Sequence, residues 1–284
     1  MSDDHTPHEH DLGLSHDLPT VLNRRRALGL LSAAGLAAAL AACSGGNNAP
    51  DSSGGGSTSN SSGGAGSATA PTAATAVDEI PEETAGPFPA DGSNGVDVLT
   101  ESGIVRPDIS ASFGGSSTVA AGVPVSVALR VVDLSGETVT PYAGAAVYLW
   151  HCDQLGRYSM YDDEIVDENY LRGVQVADAD GRLSFTTVFP GAYPGRWPHM
   201  HFEVYPDEAS AVTSSGRLRT SQLAIPEDAC TDVYATSGYD NSAQNLRRTS
   251  LDSDSVFGDG YSLQLATASG SVDEGYALTL TVAV

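Results

Sequence analysis

The chain has 284 residues, and its composition is too uneven for all of it to share one fold. Thirteen arginines and no lysine face 36 acids, so a net charge of -23 excludes nucleic acid and anionic membrane surfaces as electrostatic partners. An apolar fraction of 40% with 11 tyrosines excludes wholesale disorder, and three cysteines are too few for a disulfide scaffold.

Residues 1–42 read as an export address. Asn23-Arg24-Arg25-Arg26 precedes an alanine-rich apolar run from Ala27 to Ala42, too short for a membrane span and of the twin-arginine type. The run ends in Leu40-Ala41-Ala42-Cys43, similar to a bacterial lipobox, which predicts lipidation of Cys43 and attachment to the outer face of the cell membrane. From Cys43 to residue 76 the chain is Gly, Ser, Asn, Thr and Ala with almost no large apolar side chain, the composition of a disordered linker. Five acids and three arginines lie in 1–42, so the remainder keeps 31 acids against 10 arginines.

Residues 77–284 carry the globular pattern, and its period is two. Strands are predicted over Val125–Leu134, Ala145–Cys152, Gly173–Ala177, Leu183–Val188, His199–Tyr205, Tyr261–Ala266 and Tyr276–Val284, with turns such as Asp180-Gly181 and Pro190-Gly191 between them. Short helices are predicted at Pro226–Ala235 and Asn241–Arg248. The fold class is therefore all-β, a sandwich with short helices in its loops. In an exported protein, Cys152 and Cys230 form an even pair for which a disulfide is expected.

Four of the seven histidines, His5, His8, His10 and His16, lie in the export segment. The rest of the chain keeps His151, His199 and His201, and the last two share one strand face because residues i and i+2 point the same way. Two imidazoles at that spacing suit a metal but do not complete its shell. A carboxylate such as Glu203 would favour zinc or manganese. Tyr193, held in the rigid Pro190-to-Pro198 segment six positions before His199, would supply a hard phenolate suited to ferric iron.

The ordered run Trp150-His151-Cys152-Asp153-Gln154-Leu155-Gly156-Arg157-Tyr158, Arg172-Gly173, Asp178-Ala179-Asp180-Gly181, Phe185-Thr186-Thr187 and Pro190 to Phe202 resembles the core of the intradiol ring-cleavage dioxygenases. The resemblance covers most of residues 78–226. It implies one non-haem Fe(III) ion held by Tyr158, Tyr193, His199 and His201, with Arg196 and Tyr193 in catalytic roles. Trp197 and Gln222 are expected near the substrate pocket, His151 at its wall or at the surface, and Tyr161 is the rival to Tyr158. The implied reaction opens an aromatic diol between its two hydroxylated carbons with dioxygen, outside the cytoplasm. A lipid-anchored β-sandwich binding module with a structural or decayed metal site is the alternative.

Overall fold

The computed structural model describes residues 77–284. The expected export segment, Cys43 and linker lie outside the described residues. Nine strands form two sheets: β1 (Pro124–Asp133), β2 (Thr140–Pro141), β3 (Ala146–Trp150), β4 (Arg172–Val176), β5 (Arg182–Val188), β6 (His199–Tyr205), β7 (Arg219–Ala224), β8 (Thr267–Ser271) and β9 (Gly275–Ala283). One sheet runs β2-β1-β9-β8, with β5 also paired to β1, and the other runs β4-β3-β6-β7. All pairings are antiparallel except β1 with β9. Three short helices, α1 (Glu208–Ala211), α2 (Glu227–Tyr234) and α3 (Ser242–Leu246), sit in the loops, so the expected all-β sandwich is what the residues build.

The alternation that predicted the strands also assembles the core. Val125, Val127, Leu129 and Val131 of β1 face Met200, Phe202 and Val204 of β6 and Leu223 of β7 between the sheets. Burying each such side chain contributes about 1.5–3 kcal/mol, which holds the sheets face to face. β6 is buried along its whole length, because its other face is covered too. There Tyr148, Trp150 and Tyr205 pack against Ala90, Val98, Leu99, Ile104 and Ala211, contributed by the strap before β1 and by α1. The second face of β6 thus becomes an interior, and it holds His199, His201 and Glu203.

Two expectations are corrected. Tyr261–Ala266 is not a strand: the Tyr261 carbonyl accepts from the amides of Gln264 and Leu265, which curls the segment, and only Leu265 makes an isolated bridge, to Ala224. The edge strand follows it at β8, whose small polar residues gave no alternation. Cys152 and Cys230 are not bridged but are free, buried thiols. Cys152 Sγ donates to Gly191 O at 3.4 Å and Cys230 Sγ points at Ile225 O, so the two thiols are oriented towards different carbonyls in different side-chain clusters.

Candidate metal centre

β3 and β7 flank β6 and set the floor of the site. Trp150 pairs with His201 in register, and Gln222 pairs with it from the other side. The Trp150 indole lies under the His201 imidazole with centroids 5.0 Å apart and an interplanar angle of 8°. Tyr158 is carried on the turn after β3. Asp153 shapes that turn by accepting from the amides of Leu155 and Arg157 and from the Arg157 guanidinium. Tyr193 arrives on the 190–198 loop, which approaches the turn so closely that a Cβ on Gly191 would stand 2.5 Å from Gln154 O. A residue other than glycine there would force the two loops apart.

The four expected donors converge. Tyr158 Oη lies 3.3 Å from Tyr193 Oη, Tyr193 Oη 3.1 Å from His199 Nε2, and His199 Nε2 3.1 Å from His201 Nε2. Donors about 2.0 Å from a shared tetrahedral centre stand about 3.3 Å apart, so this spacing fits one coordinated ion. Tautomer logic points the same way. His199 Nδ1 is 2.5 Å from Trp197 O, which can only accept, so Nδ1 carries the proton and Nε2 offers a lone pair. Tyr193 Oη, His201 Nε2 and Arg196 Nη1, the last at 3.4 Å, all crowd that one lone pair. A cation shared among the donors resolves the crowding that a single proton leaves.

Charge follows burial. Loss of hydration, reinforced by neighbouring guanidiniums, holds both imidazoles well below their usual range, so they are neutral and available as ligands. Burial pushes the Tyr158 phenol well above its usual range and Tyr193 up to about 12. Ionising them at neutral pH therefore calls for a metal ion, whose charge reverses that preference.

Other expected residues take definite places. Arg196 is buried; its Nε donates to Asp254 Oδ2 at 3.0 Å and its Nη2 to Gln222 Oε1 at 2.6 Å. Gln222 therefore belongs to the site through Arg196. Trp197 packs in the core between the sheets, with its indole N–H donating to Ile225 O. Tyr161 accepts from Ala90 N and donates to Asn94, so it holds the strap while Tyr158 faces the donors. His151 is buried between Cys152 O and Thr187 Oγ1 rather than at the surface. Glu203 is engaged by Tyr205 and Arg217, and among the described residues no three His, Cys, Asp or Glu side chains form a metal-holding group. Both Glu203 carboxylate oxygens thus already have hydrogen-bond partners.

The family model described as "Dioxygenase" matches residues 112–214, which include all four donors and Arg196. A catechol 1,2-dioxygenase of Candida albicans is 33% identical over 92 residues, covering 31% of this chain and 29% of the relative. A protocatechuate 3,4-dioxygenase beta chain of Burkholderia cepacia is 35% identical over 97 residues, covering 30% and 40%. The chain thus spans roughly a third of the length of these curated relatives. A solved intradiol ring-cleavage dioxygenase from Tetranychus urticae superposes with a TM-score of 0.52 at 26% identity, over 64% of this chain and 87% of that one. Residues 112–214 thus match a dioxygenase family model, and the chain is similar to intradiol ring-cleavage dioxygenases in sequence and fold.

The family-model match ends at residue 214, before Gln222 and Asp254, yet both touch Arg196. Asp254 escaped sequence reading because Leu251-Asp252-Ser253-Asp254-Ser255 has the composition of a solvated loop. Gly86 escaped as well: a Cβ there would lie 3.3 Å from His201 Cε1, so its backbone caps the second imidazole. The one available signal was Pro87 directly after it, marking a fixed turn.

Proposed function

We propose that the domain is a non-haem iron(III) enzyme that opens a catecholic ring between its two hydroxylated carbons with dioxygen. In this reading it works outside the cytoplasm, on a chain tethered through a lipidated Cys43. The observation that carries the reading is the unbroken chain of 3.1–3.3 Å contacts from Tyr158 through Tyr193 and His199 to His201 in a buried setting. Two phenolates and two neutral imidazoles are a hard-leaning oxygen and nitrogen set that fits ferric iron, and Tyr158, Tyr193, His199 and His201 would hold it. Bound there, the ion supplies the Lewis acidity that keeps both phenols ionised and draws electron density from a chelating diolate.

The protein's own groups then divide the work. A diol that binds as a dianion sheds two protons; Tyr193 Oη is placed to take one, and the other passes to bulk water. Its phenol favours the protonated form once burial acts alone, and its side chain is half-buried beside the exposed Pro194 and Gly195. Arg196 Nη1, the guanidinium nitrogen nearest the donor set, faces the charge that develops on the ring. Trp150 under His201 and Phe88 against Tyr158 exclude water from these groups. Nearby guanidiniums are already engaged: Arg196 with Asp254, Arg157 with Asp153 and Glu164, Arg172 with backbone carbonyls and hydroxyls. With these guanidiniums largely committed and Arg196 Nη1 turned to the ring, a neutral catechol is the favoured substrate.

Iron-loaded protein should be red to burgundy from phenolate-to-iron charge transfer, and Tyr158→Phe or Tyr193→Phe should shift or weaken that band. Oxygen uptake with catechol should exceed that with protocatechuate at least tenfold in kcat/KM, with ring-opened diacid as product. Colourless protein that takes up no iron, or no turnover across catechol, hydroxyquinol and their halogenated relatives, would favour a binding module instead. Cys43→Ser should release the protein from membranes into the soluble exported fraction.

A further inference from the structure

We propose that Asp254 is a positioning residue for Arg196 and influences ring cleavage only through that guanidinium. The inference rests on the dioxygenase reading above but is carried by a segment outside the family match. Asp254 is fully buried on its side chain. Its Oδ2 accepts from Arg196 Nε at 3.0 Å and from Trp197 N at 2.6 Å. Its Oδ1 accepts from Val256 N at 2.8 Å and Phe257 N at 3.2 Å. The carboxylate is itself held by its backbone, because Asp254 N donates to Ser250 O in a turn where Ser250 and Ser253 cap each other.

The consequence is geometric. A guanidinium is planar, so fixing two of its edges fixes the third. Asp254 takes the Nε edge and Gln222 takes Nη2, while Gln222 is anchored by donating Nε2 to Thr84 O. Nη1 is left 3.4 Å from His199 Nε2, beside the donor set. Burial alone would not require this arrangement: Arg172 is as deeply buried and is satisfied by neutral acceptors. The Asp254 carboxylate both aims the guanidinium and offsets its charge next to nitrogen and oxygen atoms that would hold a cation.

The same helical region pins the other side of the loop. Ser242 Oγ accepts from Ala192 N, Asn245 Nδ2 donates to Ala192 O, and Tyr234 Oη donates to Pro190 O. Tyr193, Pro194 and Gly195 thus span two fixed points, Ala192 and the Arg196-Trp197 pair. Asp254 is the one charged contact in this clamp that bears on a guanidinium beside the donor atoms.

The test uses the full chain with D254N, D254E, R196A and the R196A/D254N double variant. In iron-free wild type, the Arg196 Nε–H resonance, assigned by its loss in R196A, should exchange slowly with solvent. In D254N and D254E it should shift and exchange at least tenfold faster. In iron-loaded D254N, iron content and the visible band should match wild type. There kcat per bound iron should fall at least tenfold while KM for catechol stays within threefold. The double variant should be no more than threefold slower than R196A. An unchanged Nε–H resonance in both carboxylate variants, or losses that multiply in the double variant, would overturn the proposal. If wild type opens no ring, the dioxygenase reading fails, and the resonance still decides the positioning.

Discussion

At the scale of single residues, Arg172 shows how a charge can be buried without an ion-pair partner. Its Nε donates to Ser159 Oγ, its Nη2 to Ser159 O, and its Nη1 to Phe88 O, Pro89 O and Tyr148 Oη. These acceptors lie beside Tyr158 and on the strap that packs over it, so one guanidinium ties the phenol's turn to the segment covering the site. Arg172→Met should lower stability by about 3–5 kcal/mol, because it strands several buried acceptors together. Arg172→Lys keeps the charge but not the planar fan of donors, and should still lose about 2 kcal/mol. Urea unfolding of the iron-free protein measures both; a lysine variant within 0.5 kcal/mol of wild type would show that charge alone suffices.

At the scale of elements, β6 serves two purposes on its two faces, and the faces can be separated. Met200→Ala opens a cavity between the sheets and should cost about 2–5 kcal/mol. His201→Ala should cost the iron-free protein less than about 2 kcal/mol, since it also removes a buried Nδ1 that has no hydrogen-bond partner. Iron content should show the opposite order, retained in Met200→Ala and lost in His201→Ala. The alternation behind this contrast was legible: β6 matches its expected span, and β1, β3, β4, β5 and β9 each fall within two residues of theirs. His199 and His201 could be paired from strand alternation and Tyr193 noticed in its rigid loop, whereas Tyr158 and the full donor set came only from the resemblance to the dioxygenase core. Asp254, Gly86 and β8 were not legible, because an acid in a serine-rich loop, a glycine before proline and a Thr-Ala-Ser-Gly-Ser edge owe their roles to what packs on them. The disulfide expectation failed for the same reason, since an even cysteine pair says nothing of where each thiol points.

At the scale of the whole molecule, two electrostatic terms act in opposite directions as the medium is acidified. A net charge of -23 makes the folded state repel itself at neutral pH, and protonating surface carboxylates relieves that repulsion. His151 opposes this. Burial holds its pKa down to about 4 from an ordinary 6.5, and the geometry requires the neutral ring: Nδ1–H donates to Cys152 O while Nε2 accepts from Thr187 Oγ1. Between those values the unfolded chain binds a proton that the folded one refuses, so this contribution to stability is full above about pH 6.5. It is lost as the pH falls towards about 4. The shift corresponds to about 3 kcal/mol at most. His151→Gln can reproduce one donor and one acceptor without titrating, so it removes this slope and leaves the carboxylate effect in place. Urea midpoints from pH 7 to 4.5 should therefore fall more steeply for wild type than for the glutamine variant, with the curves separating below pH 6.5. Parallel curves across that window would mean that His151 takes up its proton inside the fold.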